Sequence, residues 1–444
     1  MSTAAIDVLV VGGGPAGLAV ALGLRRQGEL SVAVVEKSEY DAPRVGETLS
    51  PGARPLLAAL GVWEDFAAAD HLPAYGTAAA WGSPELAGRD FLMTPFGTGW
   101  NLDRRAFDAL LAEAAATHGA QLERGVHVTG CEPAGPASQA WRVDVEGANP
   151  RTFQARFLVD ATGRSARFAR RLGAELHFLD HQVAIVGTLA LPADSTVESA
   201  TVVEAFEGGW CYSVRVPGPA LVVALLTDGD LARGQGLADA ARWLDTLSAL
   251  PHTGKRLAAG RLTGPLRTVA AHSARLDRPS GPGWIAVGDA AASHDPLSGS
   301  GIVRALDSGL RAARAVHEQL ARGRSESLAE YDQYLAAAFE RYAETRASYF
   351  RRETRWPEAP YWSRRQPRLT LDPRKPLVAV PDARLPTRPA DLLGVDIGFL
   401  LARAHQERSA HELVAEHRQR GQAGDLPVVL ALQWMVEVGA LRPG

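Results

Sequence analysis

The chain of 444 residues has only two cysteines, Cys131 and Cys211, too few to staple a chain of this length. Neither has a CxxC neighbour or a companion set of ligands, so buried structural thiols and no metal site are expected. Long apolar runs are also lacking. The opening MSTAAIDVLVVGGG breaks at glycines before it could span a membrane, and no basic region precedes it. A cytoplasmic protein with no membrane association is therefore expected. Charge of one sign is missing too: 47 basic against 50 acidic side chains leave a formal net charge of -3. This argues against nucleic acid as the chief partner, despite short arginine clusters at 164–171 and 351–365.

What is present begins with order along the chain. Ile6–Val11 is a branched apolar run that suits a strand buried on both faces, Pro15–Arg26 has helical spacing, and Ser31–Val35 supplies a second buried strand. This is the β-α-β opening of a doubly wound α/β fold. From Val183 to Leu226 strand-like stretches follow one another across turns without helices, which predicts a largely antiparallel sheet, the expected wall of a substrate site. A buried strand at 284–289 and two long helical patterns at 302–320 and 327–350 come next. The expected organisation is a discontinuous nucleotide-binding, Rossmann-like domain over 1–180 and 265–365, a substrate domain over 181–264, a proline-rich linker over 366–390 and a small helical or winged-helix-like domain over 391–444.

Gly12, Gly14 and Gly17 form GxGxxG between a strand and a helix, and Glu36 closes the second strand. Two glycines let backbone approach a pyrophosphate, the third lets helix and strand pack, and the helix N-terminus supplies partial positive charge. Glu36 is placed to accept from ribose hydroxyls. The motif alone does not separate NAD from FAD.

Four further stretches do. RVGETLSP from Arg44, LDRRAFDALL from Leu102, FLVDATGRSA from Phe157 and GWIAVGDAA from Gly283 have the order and spacing of the flavoprotein monooxygenases of the para-hydroxybenzoate hydroxylase fold, which residues 5 to 365 resemble. The resemblance implies FAD, with Arg44 and Arg104 beside its adenosine and pyrophosphate portion and Asp289 on the ribityl or pyrophosphate region. It also gives a role to DPLSGSG: Pro296, Gly299, Ser300, Gly301 and Ile302 would bring unpaired N–H groups at a helix tip to the pyrimidine edge of the flavin.

Within that fold the chain is similar to flavin-dependent halogenases and to the flavoproteins that mature tryptophan-derived quinone cofactors. Halogenases carry a lysine where Gly76 stands and a glutamate where Ser298 stands, and their WxWxIP is replaced by GGWCYSVRVP from Gly208. The quinone-maturation flavoproteins are matched instead at GW-x-YS, at GDAAxxxDPLS and at YFRRETRWPEAPYWSRR from Tyr349. That resemblance implies hydroxylation of a tryptophan residue in a partner protein, a small quinoprotein subunit, through a flavin hydroperoxide formed with molecular oxygen, as a step toward cysteine tryptophylquinone. The C-terminal domain is the expected holder of that partner. Trp81, Phe96, Trp210 and Tyr212 are expected to wall the pocket, and Glu47, His294 and Asp295 are the candidate acid or base groups. In that resemblance Thr162 in DATG occupies a position where hydroxylases reduced directly by NAD(P)H have aspartate, which weighs against direct reduction by NAD(P)H and makes an external flavin reductant the expected electron donor, NAD(P)H being the alternative. Three other readings stay open: a hydroxylase or halogenase of a small aromatic metabolite, a flavin-dependent alkene reductase, and a DNA-binding regulator.

Overall fold

The computed structural model describes all residues except Met1, 92–93, 135–139, 149, 367–370, 382, 384, 386–394 and 421–424. Strand β1 (Ser2–Val11) runs into helix α1 (Pro15–Gln27), which Gly28 ends in the left-handed conformation, and β2 (Val32–Val35) follows. Both strands pair in parallel from Val8↔Val32 to Val11↔Val35, and β1 also pairs in parallel with the strand Arg151–Asp160. The strands Gln121–Glu123 and Trp284–Ala286 extend this sheet on either side, again in parallel, so that the glycine turn after β1 emerges at its carboxyl end. Ligands bind at that end in doubly wound sheets.

The second sheet has seven strands and is antiparallel except where Gly76–Ala80 pairs in parallel with Thr201–Phe206. Its members reach beyond the expected substrate domain: the edge hairpin comes from residues 76–90, and Arg261–Ala270 lies on the opposite side. The edge hairpin offers runs of only five and four residues, and Arg261–Ala270 interrupts its apolar positions with arginines, a glycine and a proline, so neither edge reads as a strand from sequence. The alternation in Gly209–Val216 and Ala220–Asp228 buries one face against Phe350, Tyr361 and Trp362 and the other against Trp243 and Leu247.

Two long helices, Gly301–Arg322 and Glu326–Arg351, complete the body. The first lies directly on α1. A Cβ on Gly309 would stand 2.5 Å from the Ala16 carbonyl oxygen and 2.6 Å from the Ala19 methyl, so the two backbones meet at hydrogen width. Gly309→Val is therefore expected to force them apart and cost about 1–3 kcal/mol, the usual penalty of overpacking. An unchanged melting temperature would deny that contact.

The stretch 366–390 is not a tether throughout. Pro376–Ala379 forms a strand that pairs antiparallel with Arg408–Ser409 and with Leu441–Pro443. Its apolar pair Leu377 and Ala379 enters a core with Leu400, Leu413, Leu432 and Met435, drawn from the three helices Ile397–Ala404, Ala410–Gln419 and Asp425–Glu437, and with Leu441 of the strand Leu441–Pro443. This strand is the central one of three; its proline stands at the first position, where it does not prevent strand formation, and two buried residues at alternate positions secure it. Among the described residues no helix is long and apolar enough to cross a membrane.

Candidate functional site: a flavin cradle and its aromatic wall

The three motif glycines divide their work. Gly12 has φ of +111°, and a Cβ there would lie 2.2 Å from the Ala161 carbonyl oxygen; on Gly17 it would lie 2.0 Å from the Gly12 carbonyl oxygen. Both serve packing of the turn. Gly14 is different. A Cβ on it would meet no atom of the protein within 4 Å, and no side chain caps the helix it begins. The first N–H groups of α1 therefore open onto free space at the sheet's carboxyl end, where a phosphate would satisfy them.

A second helix tip has the same character. Asp295 accepts from Leu297 N at 3.0 Å and holds the turn Pro296–Ser298, Gly299 takes φ of +57°, and Gly301 begins the long helix behind Ser300, which makes no side-chain cap. Cβ atoms on Gly299 and Gly301 would again meet nothing within 4 Å. Gly288, by contrast, sits against the Ala16 methyl, and its N–H donates to Ser308 Oγ at 3.0 Å, which joins the two cradle walls. Two uncapped helix N-termini bordered by open glycines fit FAD, its pyrophosphate at α1 and its electron-rich ring at the second helix.

The charged residues around the cradle form one network. Glu36 is buried; its Oε2 accepts from Gly13 N at 2.7 Å and its Oε1 from Ser38 Oγ at 2.6 Å and Arg44 at 2.8 Å. The acceptor role toward ribose is thus a proposal resting on the lone pairs that these bonds leave. Arg44 also reaches Asp108 at 2.9 Å. Arg104 differs from expectation: its guanidinium closes on Asp108 at 3.1 Å and donates to the Val45 carbonyl, because the fully buried Asp108 carboxylate attracts it more strongly than open space does. Arg104 thereby fixes the turn before Glu47. Asp108 escaped the sequence reading, although a carboxylate four residues after an arginine on an apolar helix face was the signal. Asp289 pairs with Arg164 at 3.3 Å, and Thr162 donates to the buried Asp160, which also caps the backbone at Phe168 and Ala169.

Of the three acid or base candidates, the structure separates Glu47 from the other two. Asp295 is buried against Arg346, which bridges it at 3.3 Å to Asp180 at 2.8 Å, and its own N–H donates to Tyr342 Oη at 2.6 Å. Burial raises its carboxyl, and the arginine partly offsets this. It holds a turn and is not a free proton carrier. His294 stacks edge-on against Tyr342 at 4.2 Å and near Phe339 at 5.6 Å; burial, followed by the nearby Arg304 and Arg164, holds its imidazole well below the ordinary value. That ring is a neutral packing element. Glu47 differs in its partner, a phenol: its buried Oε2 accepts from Tyr212 Oη at 3.1 Å. Burial raises the Glu47 carboxyl, and burial together with the Glu47 charge raises the Tyr212 phenol far above its usual range.

The aromatic wall is only partly as expected. Trp210 is fully buried and Trp81 packs against it at 6.3 Å, with Phe350, Tyr361 and Trp362 around them. These rings form a core in which Tyr212 is the member that touches Glu47. Phe96 does not join them: it is 42% exposed at a turn, since the loop before Gly99 carries it away from the sheet.

A parallel-sheet cradle with two bare helix tips fits FAD, and the comparisons with known proteins make the chain an FAD-dependent oxidoreductase, an enzyme. Residues 5–220 match the FAD binding domain family. A protein of Marinomonas mediterranea described as an FAD-dependent oxidoreductase, LodB, is 30% identical over 361 residues, 81% of this chain and 96% of its own length, and the chain belongs to the same family. The 1H-pyrrole-2-carbonyl-[peptidyl-carrier protein] brominase of Pseudoalteromonas luteoviolacea is 26% identical over 71% of this chain and 78% of its own. Among solved structures, the myxobacterial chondrochloren halogenase CndH superposes with a TM-score of 0.76 at 20% identity, over 99% of this chain and 98% of that one. This likeness establishes the α/β fold expected from the sequence.

Proposed function

We propose that the enzyme is a monooxygenase that hydroxylates a tryptophan residue of a partner protein, a small quinoprotein subunit, as a step in the formation of cysteine tryptophylquinone. FAD, once reduced by an external flavin reductant or by NAD(P)H, supplies with dioxygen the electrophilic oxygen for an electron-rich indole. The observation that carries the reading is the Glu47–Tyr212 pair, a buried carboxylate with its hydrogen-bonding phenol on the strand Gly209–Val216. A ring that gains oxygen must lose a proton, and the Glu47 carboxylate, made more basic by burial, would take it. Tyr212 O–H holds that carboxylate in position. Further support comes from Gly76, which leaves the halogenase lysine position without an amine. The brominase relative acts on a ring carried by a protein, which supports a protein-borne substrate here.

The test is incubation of the FAD-loaded enzyme, a chemical flavin reductant and dioxygen with a tryptophan-bearing quinoprotein subunit and, separately, with free tryptophan and indole. Mass gain by one or two oxygen atoms on the protein alone is expected. Turnover of free aromatics with the protein untouched, or halide incorporation, overturns the reading in favour of a small-molecule hydroxylase or halogenase.

Glu47→Gln is expected to keep bound FAD while slowing the reaction by about 100-fold, the usual worth of a positioned base. Activity of the unmodified enzyme should fall as pH drops through the Glu47 value, which burial places above the ordinary carboxylate 4.5, and a pH–rate profile of the variant should lack that limb. A variant that retains the limb assigns the proton to another group.

A further inference from the structure

The aromatic residues beside Glu47 are more than filler of one core. Starting from Tyr212, ring centroids step 6.3 Å to Trp210, 6.3 Å to Trp81, 5.3 Å to Trp362 and 6.2 Å to Trp356. Four elements contribute: the strand Gly209–Val216, the residue after Gly76–Ala80, the short helix Pro360–Ser363 and the loop before it. The first member is hydrogen-bonded to the flavin-side carboxylate, and the last is half-buried at the surface. Val45 and Leu297 pack on the same cluster, and Leu297 belongs to the turn that feeds the second bare helix tip, so the line starts at the cradle.

Ordinary cores are filled with Leu, Ile, Val and Phe, which cannot lose an electron under biological conditions. Here every member of the line is a tyrosine or tryptophan, the side chains that can. The indole N–H groups are satisfied by neutral acceptors: Trp210 on Gln182 Oε1 at 3.4 Å, Trp81 on the Tyr349 carbonyl at 2.8 Å and Trp362 on the Phe206 carbonyl at 2.9 Å. Arg355 lies 4.3 Å over Trp356, and Glu353, 2.6 Å from it, offsets its charge.

We propose that Tyr212, Trp210, Trp81, Trp362 and Trp356 form a chain that carries single electrons from the surface to the flavin site, so that an oxidant left there by unproductive oxygen reduction is quenched before it damages the site. An oxygen-derived radical takes one electron from Tyr212, whose phenolic proton passes to the Glu47 carboxylate. Trp210, Trp81, Trp362 and Trp356 then refill the vacancy in turn, one electron at each step, and Glu47 returns its proton to the Tyr212 oxygen. Trp356 is restored by a soluble thiol, which gives up one electron and one proton and leaves as a thiyl radical. The inference requires bound FAD and is independent of which substrate the enzyme hydroxylates.

Laser-flash excitation of the oxidised, FAD-loaded full chain tests it, with the excited flavin as the oxidant. The wild type should give a long-lived tryptophanyl radical seen by transient absorption. Trp362→Phe should shorten the lifetime of the signal, because it removes the step from the half-buried Trp81 to Trp356. Trp63→Phe should leave it intact, since Trp63 sits in a separate cluster with Phe66 and Trp100. Absence of a tryptophanyl radical in the wild type, or an equally long-lived signal after Trp362→Phe, overturns the proposal. If Trp362→Phe loses FAD or fails to fold, Trp356→Phe at the surface end decides: a shortened radical lifetime supports the chain, and an unchanged one overturns it.

Discussion

Gly14→Val is expected to give a folded protein that emerges colourless from purification. The position has φ of -82° and ψ of 178°, open to any residue, and the added carbons meet no protein atom, so loss of apoprotein stability should stay within about 1 kcal/mol at this helix N-cap. The same carbons fill the space into which the first N–H groups of α1 point. Overlap of that kind costs about 1–3 kcal/mol, which weakens FAD binding roughly 10- to 100-fold. Gly12→Ala makes the contrast, because its Cβ would press on the Ala161 carbonyl from a left-handed backbone and the fold itself should suffer. Thermal unfolding without FAD and fluorescence titration with FAD separate the two. Undiminished FAD affinity in Gly14→Val would mean that the pyrophosphate does not sit at this helix.

Arg346→Met should be the most destabilising single change among those considered. It leaves Asp180 and Asp295 buried with side-chain exposures of 7% and 1% and without their shared cation. Removing one partner of a buried ion pair costs about 3–5 kcal/mol. The loss depends on pH in a defined direction. The Asp295 carboxyl is already raised in the folded chain, so the folded state binds its proton more tightly than the unfolded one, and this group weakens the fold as pH climbs from the ordinary carboxylate 3.8 through the raised value. Without Arg346 that rise is larger. The variant's deficit should thus be greatest at neutral pH and shrink on mild acidification, as read from denaturant unfolding at both. A deficit that does not change with pH would place the cost in lost packing.

How much of this was legible beforehand depended on how local each interaction is. The parallel opening of the fold, the glycine turn, the helix starting at Gly301 and the open backbone before it all follow from residues within a few positions of one another, and the structure has them where their spacing puts them. FAD as cofactor followed from four such stretches taken together. His294 and Asp295 sit in the same legible motif, yet their roles differed from expectation because their partners, Tyr342 and Arg346, lie 48 and 51 residues away on another helix. Arg104 was redirected by a carboxylate one turn along its own helix, a pairing that spacing does show but that loses weight when a phosphate is the expected partner. Phe96 shows the opposite error, since an aromatic residue near a site in sequence was carried to the surface by its loop.

Sequence alone determined that this chain opens with a glycine turn into a helix and leaves bare backbone before a second helix, because glycine spacing acts through sterics that need no distant partner. Only tertiary structure decided which carboxyl keeps a functional neighbour. Glu47 meets Tyr212 across 165 residues, whereas Asp295 is neutralised by a helix that packs beneath it. The physical reason is that a buried charge takes its character from whatever surrounds it in space, and burial is a property of the folded chain.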